Sequence, residues 1–325
     1  MTTKVVLDFS VLAFAMEDSL NPLMTTPSFQ SLPETGQKAV LTDIVEGQMQ
    51  YLASLVFMGE NRPSKYQLVF VSDNKRDGQY WRHSYVTLPE IEEARVNRIH
   101  NDYDLRVAGH VELKKTDETY TGRKPTKPRE VKPICYKGGR KQVSAFQSLL
   151  RIVMRESVDR NGWTFLGVKG YEADDVAACV VALMDGIDYV WLLTIDTDWL
   201  GLVSDSVGWF NLATYEPRVR STLTTVNQWS QARLGTTFET PRAIWDYKAK
   251  VGDASDKLPI FSPIEVIDLL NPPEQHKLWL QPRVRATYLP LLTSDVDNAT
   301  LGVTAASYLL KLRALGIRPF IANAA

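Results

Sequence analysis

The sequence predicts an α/β fold: a largely parallel central sheet flanked by helices. Short, continuously apolar runs alternate with longer stretches whose apolar residues recur at helical spacing. Three of those runs end the same way, at Asp8 in "KVVLDF", Asp73 in "YQLVFVSD" and Asp196 in "DYVWLLTID". In an open α/β sheet the carboxyl ends of the strands form the edge where ligands bind.

In chain order, "KVVLDFSVLAFA" reads as a buried strand ending at Asp8, then a turn into apolar sequence. "NPLMTTPSFQSLPETG" is rich in turn residues and reads as a loop. "QKAVLTDIVEGQMQYLASLVFM" reads as an amphipathic helix through Ile44, Val45, Met49, Leu52, Leu55 and Val56. "YQLVFVSD" is a second buried strand. Residues 83–132 are polar and mixed in charge, with a helix expected in "LPEIEEARVNRIHNDY". "SAFQSLLRIVMRESV" is a helix, and "WTFLGV" a short apolar segment. "YEADDVAACVVALM" is a helix that leads into the third buried strand. "AIWDYKAKVGDASDKLP" reads as helical with an interrupting loop. "AASYLLKLRALG" is a further helix, with Gly316 as its stop.

At 325 residues the chain can bury a large core, as one α/β domain or a main domain with an appendage. A hydrophobic share of 44% and a charged share of 23% are ordinary for a soluble globular protein. A net charge of −1 favours neither nucleic acid nor membrane, so any nucleic-acid site must rest on local basic patches. Cys135 and Cys179 form no CxxC pair and are expected as reduced thiols in a cytoplasmic monomer. No signal-peptide pattern opens the sequence, and no stretch approaches the roughly 20 apolar residues of a membrane span.

Carboxylates are the chemistry-bearing feature. "GYEADDVAAC" carries Glu172, Asp174 and Asp175; "TIDTDWLGLV" carries Asp196 and Asp198; "VGDASDKLP" carries Asp253 and Asp256. Glu172 and Asp175 share a helical face, with Asp174 offset by one position. Each cluster alone has an ordinary reading, as acids favoured at a helix start or in a turn. With Asp8 and Asp73 they make nine acids that, brought together, repel unless cations intervene. Oxygen-only ligands suit Mg²⁺ or Mn²⁺, and the sparse His and Cys offer no zinc spacing. Two such ions about 4 Å apart can activate a water and stabilise the leaving oxygen of a phosphodiester. Positive charge follows in "RKPTKPREVKPICYKGGRK", with eight Lys or Arg against the single acid Glu130. Tyr136 beside Lys137 offers base stacking as well as phosphate contact.

Six motifs in this order resemble those of the 5′-nuclease, or flap endonuclease, superfamily. The likeness is to bacteriophage 5′→3′ exonucleases and the exonuclease domain of bacterial DNA polymerase I. "VVLDFSVLAF" resembles its first-strand Asp motif and "FVSDNKRDGQYWR" its second-strand Asp followed by an Arg. "CYKGGRK" resembles Y-K-x-x-R, "YEADD" resembles E-x-D-D, and "TIDTDWLGLV" resembles the strand-end D-x-D. "VGDASDKLP" resembles the G-D-x-S-D-N-[IL]-P signature of a helix–three-turn–helix element.

The resemblance implies a PIN-like α/β nuclease core over 1–205. Within it fall an insertion at 83–132 and an arch or clamp at 133–160. A C-terminal helical region with the helix–three-turn–helix element follows at 206–325. It implies a two-metal phosphodiesterase using Mg²⁺ or Mn²⁺. Asp8, Asp73, Glu172, Asp174 and Asp175 would serve one ion; Asp196, Asp198, Asp253 and Asp256 would serve the other. Asp174, Asp196, Lys137 and Arg140 would carry the catalysis, with Lys137 on the scissile phosphate. Tyr136 would stack on a base, and Arg82, Lys141, Lys248 and Lys250 would contact substrate. The arch helix is assigned to "KQVSAFQSLLRIVMRESV", whose apolar spacing equally fits a core-facing helix. The implied substrate is DNA with a 5′ end, flap or nick, extending to RNA–DNA hybrids. The implied setting is replication or repair, in the cytoplasm, or the host cytoplasm for a phage-encoded protein.

Three departures stand out. The link between Arg82 and "YKGGR" is about 50 residues long, the glycine-rich hairpin after the SDN-P signature is replaced by "LPIFSPIEVIDLLN", and Lys257 replaces the usual Asn. Two alternatives keep the fold or the acidic cleft: a catalytically reduced DNA-junction-binding protein, and a PIN-type ribonuclease. A haloacid-dehalogenase phosphatase needs a second Asp two residues after Asp8, where Ser10 stands.

Overall fold

The computed structural model describes residues 2–55, 66–138, 143–212 and 223–294. The expected helix before Gly316, and Val56 of the expected apolar stripe, lie outside them. In chain order the elements are β1 (Thr3–Asp8), α1 (Phe9–Met24), α2 (Pro27–Gln30), α3 (Glu34–Leu55), β2 (Tyr66–Val71), α4 (Trp81–Val86), α5 (Pro89–Thr116) and α6 (Ala145–Arg160). Then come β3 (Thr164–Leu166), α7 (Ala173–Met184), β4 (Tyr189–Thr194), β5 (Val207–Asn211), α8 (Leu223–Leu234), α9 (Ala243–Val251), α10 (Ile264–Ile267) and α11 (Pro282–Thr293).

The strands form one sheet in the order β3-β2-β1-β4-β5, with every neighbouring pair parallel. The expected parallel α/β architecture is therefore present. Central strands covered on both faces read as continuous apolar runs rather than alternating ones. Val6, Val69 and Val71 face a core shared with α7, α9 and α11, while Val5, Leu7, Leu68 and Phe70 face one shared with α1, α3 and α6. The chain builds β1, β2 and β3 to one side, then returns to lay β4 on the other side of β1. That reversal makes β1/β4 the switch point, where the crevice beyond the carboxyl ends lies. Lys4, buried inside β1, is paired with Asp188 at 3.2 Å.

Several expectations change. The presumed loop "NPLMTTPSFQSLPETG" is mostly helical: α1 runs on to Met24 with Pro22 inside it. α2 starts on Pro27 under a Thr26 cap that accepts from Phe29 N, burying Phe29. "KQVSAFQSLLRIVMRESV" supplies α6, which is a core helix and not an arch, because Leu150, Val153, Met154 and Val158 form one buried stripe. α5, by contrast, buries only Arg95, Ile99 and His110 and leaves Leu105 73% exposed. The boundary at 205 falls inside the sheet layer, since β5 pairs with β4 beyond it. Ile244, Val266, Val284 and Leu292, from the C-terminal helices, share one hydrophobic cluster with α7. No helix among the described residues is long and apolar enough to cross a membrane.

Candidate active site

The strand ends bring the first acids together. Asp8 closes β1 and caps α1, its Oδ1 accepting from Ser10 N at 3.0 Å and Val11 N at 3.1 Å. Its Oδ2 accepts from Thr194 Oγ1, at the end of β4, at 3.4 Å. Asp73 lies just past β2. Its Oδ2 accepts from Ser10 Oγ at 3.3 Å, and its Oδ1 from Ala173 N, in the first turn of α7, at 2.9 Å. Asp196 lies past β4 and accepts from Asp198 N at 2.9 Å.

The start of α7 sorts its three acids by face. Glu172 is the cap residue, and its N–H donates to Asp175 Oδ2 at 3.1 Å in a capping box. Glu172 and Asp175 both turn toward Arg82, whose Nη1 donates to them at 3.1 Å and 2.6 Å. Trp81 Nε1 also donates to Asp175, at 3.1 Å. Asp174 turns the other way and accepts from Trp199 Nε1 at 2.8 Å.

Two lysines enter from outside the sheet. Lys137 adopts a left-handed φ of +50° in a tight turn, and its N–H donates to Asp256 O at 2.9 Å. Gly138 leaves room for Cys135, whose Sγ an added Cβ would displace from 2.1 Å away. The turn aims Tyr136 OH at Glu172 Oε2 at 2.7 Å and brings Lys137 Nζ onto Glu172 Oε1. Lys137 Nζ is also 3.5 Å from Asp256 and 3.9 Å from Asp174. Lys248, on the inner face of α9, contacts Asp198 and pairs with Asp253 at 2.7 Å. α9 stops at Gly252, whose φ is +88° and whose added Cβ would meet Leu258 O at 2.7 Å.

The electrostatics divide the acids. Burial would raise Glu172, but Lys137 and Arg82 outweigh it and hold the carboxyl down at about 2. Asp8 is pushed up to about 7 by burial, then by Asp73 and Asp174. Asp73 and Asp196 are also raised, chiefly by burial. Burial brings Asp198 to about 6 despite Lys248. Among the described residues, Asp8, Asp73 and Asp196 have no cation within 4.0 Å, and Asp174 has only Lys137 at 3.9 Å.

Some expected roles are corrected by position. Tyr136 is buried with its hydroxyl on Glu172, so its ring is not open for base stacking. Arg82 is 1% exposed and serves the two acids and Val266 O, not a substrate. Asp175, expected among the metal ligands, is the ion-pair partner of Arg82. Lys248 faces the acids rather than a duplex. Lys250 is exposed, and Arg140 and Lys141 lie outside the described residues. Sequence reasoning missed Trp199 and Trp81 as carboxylate donors; "TDW" and "YWR" carry both indoles beside motif residues, but nothing in one dimension shows where an N–H points.

Among the described residues no three His, Cys, Asp or Glu side chains converge on a ready-made metal site. Ammonium groups stand between the carboxylates instead, Lys137 at Glu172 and Lys248 at Asp198. The donor set still fits hard divalent cations: every candidate ligand is a carboxylate oxygen, and Asp8, Asp73, Asp174 and Asp196 have no cation among the described residues nearer than 3.9 Å.

A parallel α/β sheet with a carboxylate cleft at its switch point defines the class of protein. No family profile matches the chain. It is 37% identical over 126 residues to the thermostable DNA polymerase I of Thermus thermophilus, a match covering 38% of this chain and 14% of that protein. It is 44% identical over 48 residues to the flap endonuclease of Escherichia phage T5, covering 14% of this chain and 16% of that protein. The chain thus spans about a seventh of the length of the polymerases it matches. These matches bear out the resemblance drawn from motif order: the chain is homologous to polymerase I and flap-endonuclease sequences. A T5 5′-exonuclease structure with divalent metal ions (zinc) bound covers 95% of this chain and 98% of its own, at 16% identity and a TM-score of 0.39. That overall likeness is too loose to bear on function.

Proposed function

We propose that this protein is a divalent-metal-dependent nuclease that hydrolyses phosphodiester bonds in DNA bearing a 5′ end, flap or nick. The observation that carries the reading is the set Asp8, Asp73, Asp174 and Asp196, gathered at one sheet edge and short of cationic partners. Buried carboxylates so arranged are costly unless cations neutralise them. Homology to a flap endonuclease supports the same reading. In it, Asp8, Asp73, Glu172 and Asp174 hold one Mg²⁺ or Mn²⁺, and Asp196, Asp198, Asp253 and Asp256 hold a second. Bound there, the ions supply an activated water and neutralise the leaving oxygen.

The chain's own groups position and neutralise. Lys137 stays protonated, because burial is outweighed by Glu172, Tyr136, Asp174 and Asp256 acting together on its ammonium, and it donates to a non-bridging phosphate oxygen. Trp199 fixes the orientation of Asp174 through its Nε1–H. Arg82 holds Glu172 and Asp175 at the start of α7. Arg140, Lys141 and Lys250 add contacts to the sugar–phosphate backbone.

Digestion of 5′-labelled flap, nicked and blunt duplexes and an RNA–DNA hybrid, with Mg²⁺, Mn²⁺ or EDTA, tests this. Asp174→Ala and Asp196→Ala should each abolish cleavage while leaving the circular dichroism spectrum unchanged. Near-wild-type turnover in either variant sinks the assignment. The contacts of Lys137 with Glu172 and of Lys248 with Asp198 favour a second reading, a junction-binding protein that does not cleave. It predicts flap binding with no product at any divalent-ion concentration.

A further inference from the structure

Beside the carboxylate cleft lies a groove of about 380 Å³ lined by none of the nine acids of the cleft motifs. One wall is α5, through Arg95 and Ile99; the floor is the segment 128–135; the other wall is the loop after α9, through Lys257, Pro259 and Ile260. It adjoins the cleft at two points, since Lys257 follows Asp256 and Cys135 precedes Tyr136. The floor is held in place: Arg95 Nη1 donates to Lys132 O at 3.1 Å and to Glu92 Oε1 at 2.8 Å. Pro128 and Pro133 stiffen it further.

The lining is cationic. Arg129, Lys132 and Lys257 are exposed and make no ion pair among the described residues. Glu130 is the acid that opposes them, and the charge of Arg95 is met by Glu92. Arg95 is 4% exposed, and its Nε has no hydrogen-bond partner among the described residues. The wall next to Asp256 is strained: Lys257 has a φ of +56° and Phe261 a φ of +57°, a region that side chains other than glycine seldom adopt. Such strain persists where the surroundings over-determine it, commonly at ligand clamps. Ile260 leaves 47% of its surface open beside them.

Three separated cations along an open groove suit a polyanion better than a single phosphate. We propose that this groove binds the sugar–phosphate backbone of the nucleic-acid strand held at the carboxylate cleft. Arg129, Lys132 and Lys257 contact phosphates, and Ile260 packs on a sugar. The inference rests on the nuclease reading above.

The test combines Arg129→Gln, Lys132→Gln and Lys257→Asn in one full-length variant. Anisotropy of a fluorescein-labelled 5′-flap duplex, a single-stranded oligonucleotide and a blunt duplex is followed against salt, with Ca²⁺ replacing Mg²⁺. The variant should bind about tenfold more weakly, with a log–log salt slope shallower by about 2 to 3, as loss of that many phosphate contacts requires. KM for cleavage should rise with kcat retained. The arm that loses affinity, single strand or duplex, identifies the strand. In the wild type, flap DNA should slow alkylation of exposed Cys135 by iodoacetamide. Unchanged affinity and slope, with wild-type cleavage intact, overturns the groove and leaves the nuclease reading standing. A wild-type protein that neither binds nor cleaves these DNAs overturns both.

Discussion

Arg82 Nη1 lies 2.6 Å from Asp175 Oδ2, and both side chains are withdrawn from solvent. The same nitrogen is 3.1 Å from Glu172, so one guanidinium joins α4 to two acids at the start of α7. Its charge is what makes burial of that helix end tolerable. Arg82→Met leaves Asp175 buried with no cation, while Glu172 keeps Lys137, and removing one partner of such a buried pair costs about 3–5 kcal/mol. Urea unfolding should show a loss of that order. Arg82→Lys should fall between, since an ammonium keeps the charge but not the planar fork. A loss below about 1 kcal/mol for Arg82→Met is incompatible with this account.

The pH dependence of stability follows from two acids of opposite sign. Asp8 rises from an ordinary 3.8 to about 7, so the folded state binds its proton more tightly than the unfolded state. Its effect is a stability loss that develops as pH rises from about 4 to about 7 and then levels off. Glu172 falls from 4.5 to about 2, so its contribution is present above 4.5 and is lost as pH falls toward 2. Stability in EDTA should therefore peak at mildly acidic pH. Asp8→Asn keeps an acceptor for the α1 cap and removes the charge. Calorimetry should show a higher Tm for it at pH 8 and little change at pH 4. Mg²⁺ should raise the wild-type Tm more at pH 8 than at pH 5, and Asp8→Asn should blunt that gain.

Trp199 offers a test of positioning. Trp199→Phe keeps an aromatic ring and deletes the donor to Asp174 Oδ1. The lost buried hydrogen bond should cost about 1–2 kcal/mol. Steady-state cleavage of a 5′ flap should show a larger fall in kcat than rise in KM. A variant that changed KM alone would assign Trp199 to substrate binding.

The two thiols should separate cleanly. Cys179 is buried in α7, and burial pushes it up to about 12, while Cys135 is exposed. A disulfide reagent at pH 8 should titrate one thiol quickly in the folded protein and the second only after denaturation. Two fast thiols would contradict the packing of α7.

The apolar runs at 3–8, 66–71 and 189–194 were legible because a strand buried on both faces needs no partner information to look apolar. β5 went unread, since "VGWFN" is short and includes a glycine whose Cβ would strike Trp191 at 2.7 Å. α6 shows the limit of periodicity: its stripe fits a core or an arch, and only the presence of α1 and α3 across from it decides. The acids were legible in the same way, as residue types at strand ends and a helix start.

By itself the sequence determined the parallel α/β class, the edge of the sheet where the acids gather, and the kinship with polymerase I and flap-endonuclease sequences, because composition and spacing are local properties. Only the tertiary structure decided which acids are already paired. Arg82, Lys137 and Lys248 reach Asp175, Glu172 and Asp198 across separations of 93, 35 and 50 positions. Charge compensation falls off with distance in space, not along the chain, so motif order could list nine carboxylates but not say which of them are already ion-paired.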